Sequence, residues 1–203
     1  MTLAETEQHY QELLLANPNQ APVWCLLGEA RLRRGKLPEA AAAYQNALRL
    51  EPASADGHFG LASVFREQGK RSEAIVCYRR GLESKPDHVE ALLNVGVLLA
   101  EQGQVDEAIG YWQRLLSLRP DHAQAHHNLG VALAQKGQLD EAVRGLQRAL
   151  ELKPDYAEAC YNLARGTEGD RGDGLRNSLR RGWLRIKWVG AWNRGAWTWP
   201  WSS

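Results

Sequence analysis

Residues 89–122 read VEALLNVGVLLAEQGQVDEAIGYWQRLLSLRPDH, and residues 55–88 read ADGHFGLASVFREQGKRSEAIVCYRRGLESKPDH. Laid one on the other at an offset of 34, they share a glycine (Gly69, Gly103), an alanine (Ala74, Ala108), an aromatic (Tyr78, Trp112) and a proline (Pro86, Pro120). The same interval carries proline at 18, 52, 86, 120 and 154, glycine at 35, 69, 103 and 137, and alanine at 40, 74, 108 and 142. A fixed period of this length marks a stacked array, in which each unit buries its apolar face against its neighbours. Four full units follow, at 21–54, 55–88, 89–122 and 123–156. Residues 1–20 match the second half of a unit, and 157–166 match the first half of another.

Each unit resolves into two helices. Trp24, Leu27, Gly28 and Arg31, like Leu92, Val95, Gly96 and Leu99, recur at i, i+3, i+4 and i+7, one stripe of a 3.6-residue period. Ala40, Tyr44 and Ala47 form a second stripe, repeated as Ala74, Tyr78 and Gly81 and as Ala108, Trp112 and Leu115. The small residue at 28, 62, 96 and 130 lets the paired helices approach, and the aromatic fills the space beside it. The glycine at 35, 69, 103 and 137 is suited to a positive φ that ends the first helix. Asp87, Asp121 and Asp155 each precede Glu90, Gln124 and Glu158 by three residues, a spacing that predicts a capping box. Asp106 and Asp140 open the second helices as Asp-Glu-Ala.

Composition narrows the function classes. Apolar residues are 44% and charged residues 24%, a globular balance, and 25 basic against 24 acidic side chains argue against a dedicated nucleic-acid binder. No run of eighteen apolar residues occurs, and Met1–Glu7 lacks the basic-then-apolar pattern of a signal peptide, so a cytoplasmic location is expected. Three dispersed cysteines, Cys25, Cys77 and Cys160, suggest reduced thiols rather than a disulfide framework. No phosphate-binding loop and no nucleophile–base pair emerges, so no enzymatic activity and no cofactor are expected.

Trp24-Cys25-Leu26-Leu27-Gly28, Ala40 to Tyr44 and Pro52 resemble the tetratricopeptide repeat (TPR). The resemblance covers residues 1–166 and implies an all-α solenoid, a right-handed superhelix of antiparallel helix pairs. Arg31 replaces the usual aromatic, and His58, Leu92, His126 and Cys160 stand where Trp24 does. Asn94-Val95-Gly96, Asn128-Leu129-Gly130 and Asn162-Leu163-Ala164 are similar to the TPR arm of O-linked N-acetylglucosamine transferases and of bacterial TPR proteins. In that arm such asparagines form a ladder that grips a peptide backbone. The resemblance thus implies peptide binding by Asn94, Asn128 and Asn162.

The residues support the same surface independently. If Leu92, Val95, Gly96 and Leu99 pack inward, then Glu90, Leu93, Asn94, Val97 and Glu101 fall on the open face of the first helix. Gln124 and His127 occupy the equivalent positions in the next unit. An asparagine amide offers two donors and an acceptor, enough for both sides of a peptide bond. The bland reading, a solvated helix asparagine, competes with three recurrences in phase. On this face Glu29, Asp56, Glu67, Glu90, Glu101 and Glu158 outnumber Arg33, Arg66 and Arg165, which favours neutral or basic extended segments. A carboxylate clamp would need cations where Asp56, Glu90, Gln124 and Glu158 stand. Two function classes follow: a protein-binding scaffold, or the recognition arm of a glycosyltransferase-like enzyme whose catalytic domain lies outside this chain. An open repeat end also invites self-association.

Other signals are weaker. His122, His126 and His127 cluster, but two imidazoles on one helix face do not complete a metal site. Residues 167–203 abandon the repeat: they hold six of the eight tryptophans, six glycines, seven basic and three acidic side chains. Three readings of this tail are open. It is an altered reading frame, a cap in which Leu175, Leu179 and Trp183 pack on the last helix, or an interfacial membrane anchor.

Overall fold

A computed structural model describes residues 2–165, with side chains through Leu163. The expectations placed on the 167–203 tail lie outside the described residues. Ten α-helices are described: α1 (Leu3–Ala16), α2 (Ala21–Arg33), α3 (Leu37–Leu50), α4 (Ala55–Glu67), α5 (Arg71–Ser84), α6 (Val89–Glu101), α7 (Val105–Leu118), α8 (Ala123–Gln135), α9 (Leu139–Leu152) and α10 (Ala157–Arg165). The chain divides into two compact units, Met1–Leu118 with α1 to α7 and Arg119–Ser203 with α8 to α10. None of these helices is long and apolar enough to cross a membrane.

The turn inside each pair is built four times the same way. Gly35, Gly69, Gly103 and Gly137 have φ of 71–77°, which costs a side-chain-bearing residue but not glycine. Each glycine N–H bonds the carbonyl three residues back, and the next N–H reaches five back, as in Lys36 to Arg31 (3.0 Å) and Gln104 to Leu99 (2.9 Å). These bonds satisfy the orphan carbonyls of the first helix. Close packing of the pair depends on the missing Cβ. A Cβ at Gly28 would come within 2.9 Å of the Tyr44 ring, at Gly96 within 2.4 Å of Trp112 Nε1, and at Gly130 within 2.9 Å of Leu146. Each unit therefore has its own core: Tyr44, Tyr78, Leu92, Leu99, Trp112 and Leu115 in the first, Leu146, Ala149, Leu150 and Leu163 in the second.

The expected capping boxes are displaced by one residue. Helices α6 and α8 are capped by His88 and His122, whose Nδ1 atoms accept from Ala91 N (3.1 Å) and Ala125 N (3.2 Å). Asp87 and Asp121 lie one step earlier and are exposed. The extended residue immediately before a helix takes the capping role, and the Pro-Asp turn delivers histidine to that place. Ser54, in phase with both, caps α4 by accepting from Gly57 N. The side chains at 24, 58 and 126 have a second common task. Trp24 Nε1 (2.8 Å), His58 Nε2 (2.9 Å) and His126 Nε2 (2.9 Å) each donate to the carbonyl of the proline six residues earlier. That bond ties the inter-repeat loop to the first helix, and it engages the Nε2 of His126.

Arg31, the departure from the repeat pattern, has a partner that the sequence did not suggest. Glu7 on α1 is 5% exposed and accepts hydrogen bonds from Arg31 (3.1 Å), Arg34 and Lys36 (3.0 Å). In the register of the later repeats Glu7 stands where Ile75 and Ile109 do, and Arg31 where Phe65 and Leu99 do. An ionic junction therefore replaces an apolar one at the first helix. Burial would raise the Glu7 pKa, but the hydrogen bonds from Lys36, Arg31 and Arg34, with the charge of Lys36, hold it below the ordinary carboxylate value of 4.5. A depressed folded-state pKa contributes stability above the unfolded pKa, and that stability is lost as pH falls through the folded value. The cations are 16–38% exposed, so solvent screens part of the effect. Glu7→Gln should lower stability by about 1–3 kcal/mol at pH 7. The Tm gap between wild type and Glu7→Gln, followed by circular dichroism, should close as pH falls below 4.5; a gap independent of pH would refute the ionic role.

Candidate functional site

The open faces of the first helices carry ordered polar groups. In the first unit, Asn94 on α6 is half-buried and its Nδ2 donates to the Tyr78 hydroxyl at 3.3 Å. Ser63 on α4 lies 3.2 Å from the same hydroxyl and donates its own proton to Phe59 O at 3.0 Å. The directions follow: Asn94 donates to Tyr78, Tyr78 to Ser63, and Ser63 to the backbone. Such a chain polarises each member in turn. Burial pushes the Tyr78 phenol pKa up, outweighing hydrogen bonds from Ser63 and Asn94, so the hydroxyl keeps its proton. One amide hydrogen and Oδ1 of Asn94 remain for a ligand. A groove of about 360 Å³ is lined by Leu32, Gly35, Leu37, Ser63, Arg66 and Glu67, and so meets this hydrogen-bond chain at Ser63.

In the second unit, His127 organises the site. It is 8% exposed, and Asn162 Nδ2 donates to its Nε2 at 2.9 Å. With Nε2 accepting, the neutral ring carries its proton on Nδ1, which points to Asn128 Oδ1 (3.2 Å) and the Tyr156 oxygen (3.3 Å). The Tyr156 ring lies 4.8 Å from the imidazole with Lys153 over it. His127 therefore holds Asn128 and Asn162 together from below instead of offering a free ring edge. Asn128 Nδ2 is buried and has no hydrogen-bond partner among the described residues. Gln124 is exposed.

The acidic bias of this face is partly compensated. Glu29 pairs with Arg33 (2.5 Å), Asp56 with Lys85 (2.7 Å), Glu67 with Arg66 (3.1 Å) and Glu101 with Arg71 (2.6 Å). Glu90 and Glu158 are exposed and make no ion pair among the described residues. Residue-level reading missed Ser63, Tyr78 and Tyr156 as parts of the site. Tyr78 was legible only as a core aromatic, because spacing locates a ring and not the oxygen at its far end. Tyr156 had a usable signal: it stands in phase with the capping residues Ser54, His88 and His122.

Paired helices of 13–14 residues, a positive-φ glycine at each turn and a 34-residue phase recur through α9. The model of the cytochrome c-type biogenesis protein H TPR domain matches residues 11–124, and a second tetratricopeptide-repeat model matches 99–157. This chain belongs to the tetratricopeptide-repeat family. The chain resembles solved structures over about three quarters of its length. MamA is 25% identical, with a TM-score of 0.68 over 75% of this chain and 89% of that one. YrrB, described as a TPR protein with an unusual peptide-binding site, is 25% identical, with a TM-score of 0.69 over 79% and 82%. A comparison with curated proteins finds no match.

Proposed function

We propose that this TPR protein is a non-catalytic scaffold that binds an extended segment of another protein along its first-helix faces. The observation that carries the reading is the immobilisation of the asparagines. Asn94 is anchored by Tyr78, and Asn128 and Asn162 by one buried imidazole, while Asn94 and Asn162 keep polar capacity to spend on a peptide backbone. Preorganised amides lose little side-chain entropy on binding. A relative with a peptide-binding site in its description supports the same use of the fold. First helices packed side by side within a unit would lie about 10 Å apart, and an extended chain advances about 3.3 Å per residue. One rung then meets every third peptide residue and reads backbone. With four of the acids already paired, Glu90 and Glu158 carry the preference for neutral or basic segments.

Changing Asn94, Asn128 and Asn162 together to Ala should cost about 1.5–4.5 kcal/mol of binding, from about 0.5–1.5 per rung. That is at least about a tenfold loss of affinity. Helicity should hold, since Ala is the better helix former. A peptide selected from a library and titrated calorimetrically against both proteins decides the matter. Equal affinity for wild type and triple variant would leave the asparagines as solvated helix residues.

A further inference from the structure

We infer that the bound segment continues past Asn94 onto α4, where the Tyr44 hydroxyl donates to one of its main-chain carbonyls. This contact rests on the peptide-binding reading above and adds a subsite that the asparagine pattern does not contain. The register that holds Asn94, Asn128 and Asn162 holds Gly60 on α4. The rings are in register too, so Tyr44 stands to Gly60 as Tyr78 stands to Asn94. Tyr78 has two partners, since Asn94 donates to its oxygen at 3.3 Å and Ser63 lies 3.2 Å away. Tyr44 has neither. Gly60 brings no side chain, and the place of Ser63 is taken by Glu29, which pairs with Arg33 at 2.5 Å.

Tyr44 is 4% exposed, and its hydroxyl makes no hydrogen bond among the described residues. Burial, and then the nearby charge of Glu29, pushes the phenol pKa up, so the proton stays on the oxygen and is there to be donated. A polar group this deep is costly to leave unpaired. The ring is held between two glycines. A Cβ at Gly28 would come within 2.9 Å of its Cζ, and a Cβ at Gly60 would overlap Cε1 and Cζ. The hydroxyl end therefore borders the space that a side chain at 60 would need. Gly60 is partly exposed and Glu29 is exposed, so this end of the ring faces the open side of α2 and α4. With no Cβ in the way, a ligand backbone can come close to α4 here. One turn further along the same faces, Leu32 and Ser63 line the groove of about 360 Å³, room for a peptide side chain beside the contact. An extended segment seated on Asn94 reaches Gly60 about three residues on. A neutral carbonyl suits the place, since the Glu29 carboxylate opposes an acidic group there.

Tyr44→Phe removes only the oxygen and gives two independent readings. Thermal unfolding followed by circular dichroism should give the Tm of the wild type, because no bond within the chain is lost. Tyr78→Phe, which loses two, should lower it. A library-selected peptide long enough to run from Asn94 past Gly60 should bind Tyr44→Phe about three- to tenfold more weakly in calorimetric titration. Replacing each asparagine or glutamine of that peptide with alanine should leave the loss in place, since the acceptor is main-chain. A lowered Tm for Tyr44→Phe would mean that the hydroxyl is spent on Glu29 within the chain, and equal affinity would mean that it meets only water; either result overturns the proposal. A loss that vanishes with one side-chain amide of the peptide overturns the main-chain assignment. If the triple asparagine variant binds weakly while Tyr44→Phe binds as the wild type does, the subsite fails and the peptide-binding reading stands. If both variants bind as the wild type does, or the library yields no binder, both fail.

Discussion

Tyr78→Ala should destabilise the first unit by about 3–5 kcal/mol, as deletion of a buried aromatic does. Tyr78 is 2% exposed, lies 6.4 Å from Phe59, and fills the gap between α4, α5 and α6. The loss is a cavity and also a broken hydrogen-bond chain, because Ser63 and Asn94 both meet its hydroxyl. Tyr78→Phe separates these effects. It keeps the ring and should cost about 0.5–1.5 kcal/mol, yet it frees Asn94 from its anchor. Denaturant unfolding should therefore order the proteins wild type, Phe, Ala, with a wide gap before Ala. In repeat arrays stability is close to a sum of local terms, so hydrogen exchange should quicken in α4–α6 well before it does in α8–α9. Uniform acceleration through both units would contradict this.

Trp112→Ala should cost a similar amount, about 3–5 kcal/mol. Trp112 is 3% exposed, lies on Gly96 and donates its indole N–H to Leu93 O at 3.3 Å. Its coupling to Gly96 is the sharper prediction. A Cβ on Gly96 would sit 2.4 Å from the indole nitrogen, so Gly96→Ala alone should cost about 1–3 kcal/mol by overpacking. In the Trp112→Ala background that clash is gone, and the added methyl enters the cavity and raises helix propensity. The double variant should then be more stable than the sum of the two single losses requires. Simple additivity in a thermal double-mutant cycle would mean that the glycine is there for another reason.

The order of the elements was legible because the signals are local and repeated. Glycine at the turns, alanine and an aromatic in the second stripe, and the interval of 34 residues each depend on backbone conformation or on helical period. Histidine caps were not legible, because a capping residue is defined by its own extended backbone, and Pro-Asp draws attention one step too early. The candidate site was half visible. The helical period placed Asn94, Asn128 and Asn162 on one face of their helices. It did not indicate that His127 would be sequestered beneath two of them.

By itself, then, the sequence determined the helix pairs, their phase and the stripe each buries, since these follow from spacing along one chain. Tertiary structure alone decided what pairs across elements distant in sequence. Glu7 meets Arg31, Arg34 and Lys36 across the junction of α1 with α2, and the Tyr78 oxygen surfaces between Ser63 and Asn94. Those outcomes depend on side-chain reach and on which surfaces packing leaves uncovered, and neither quantity is written in a period.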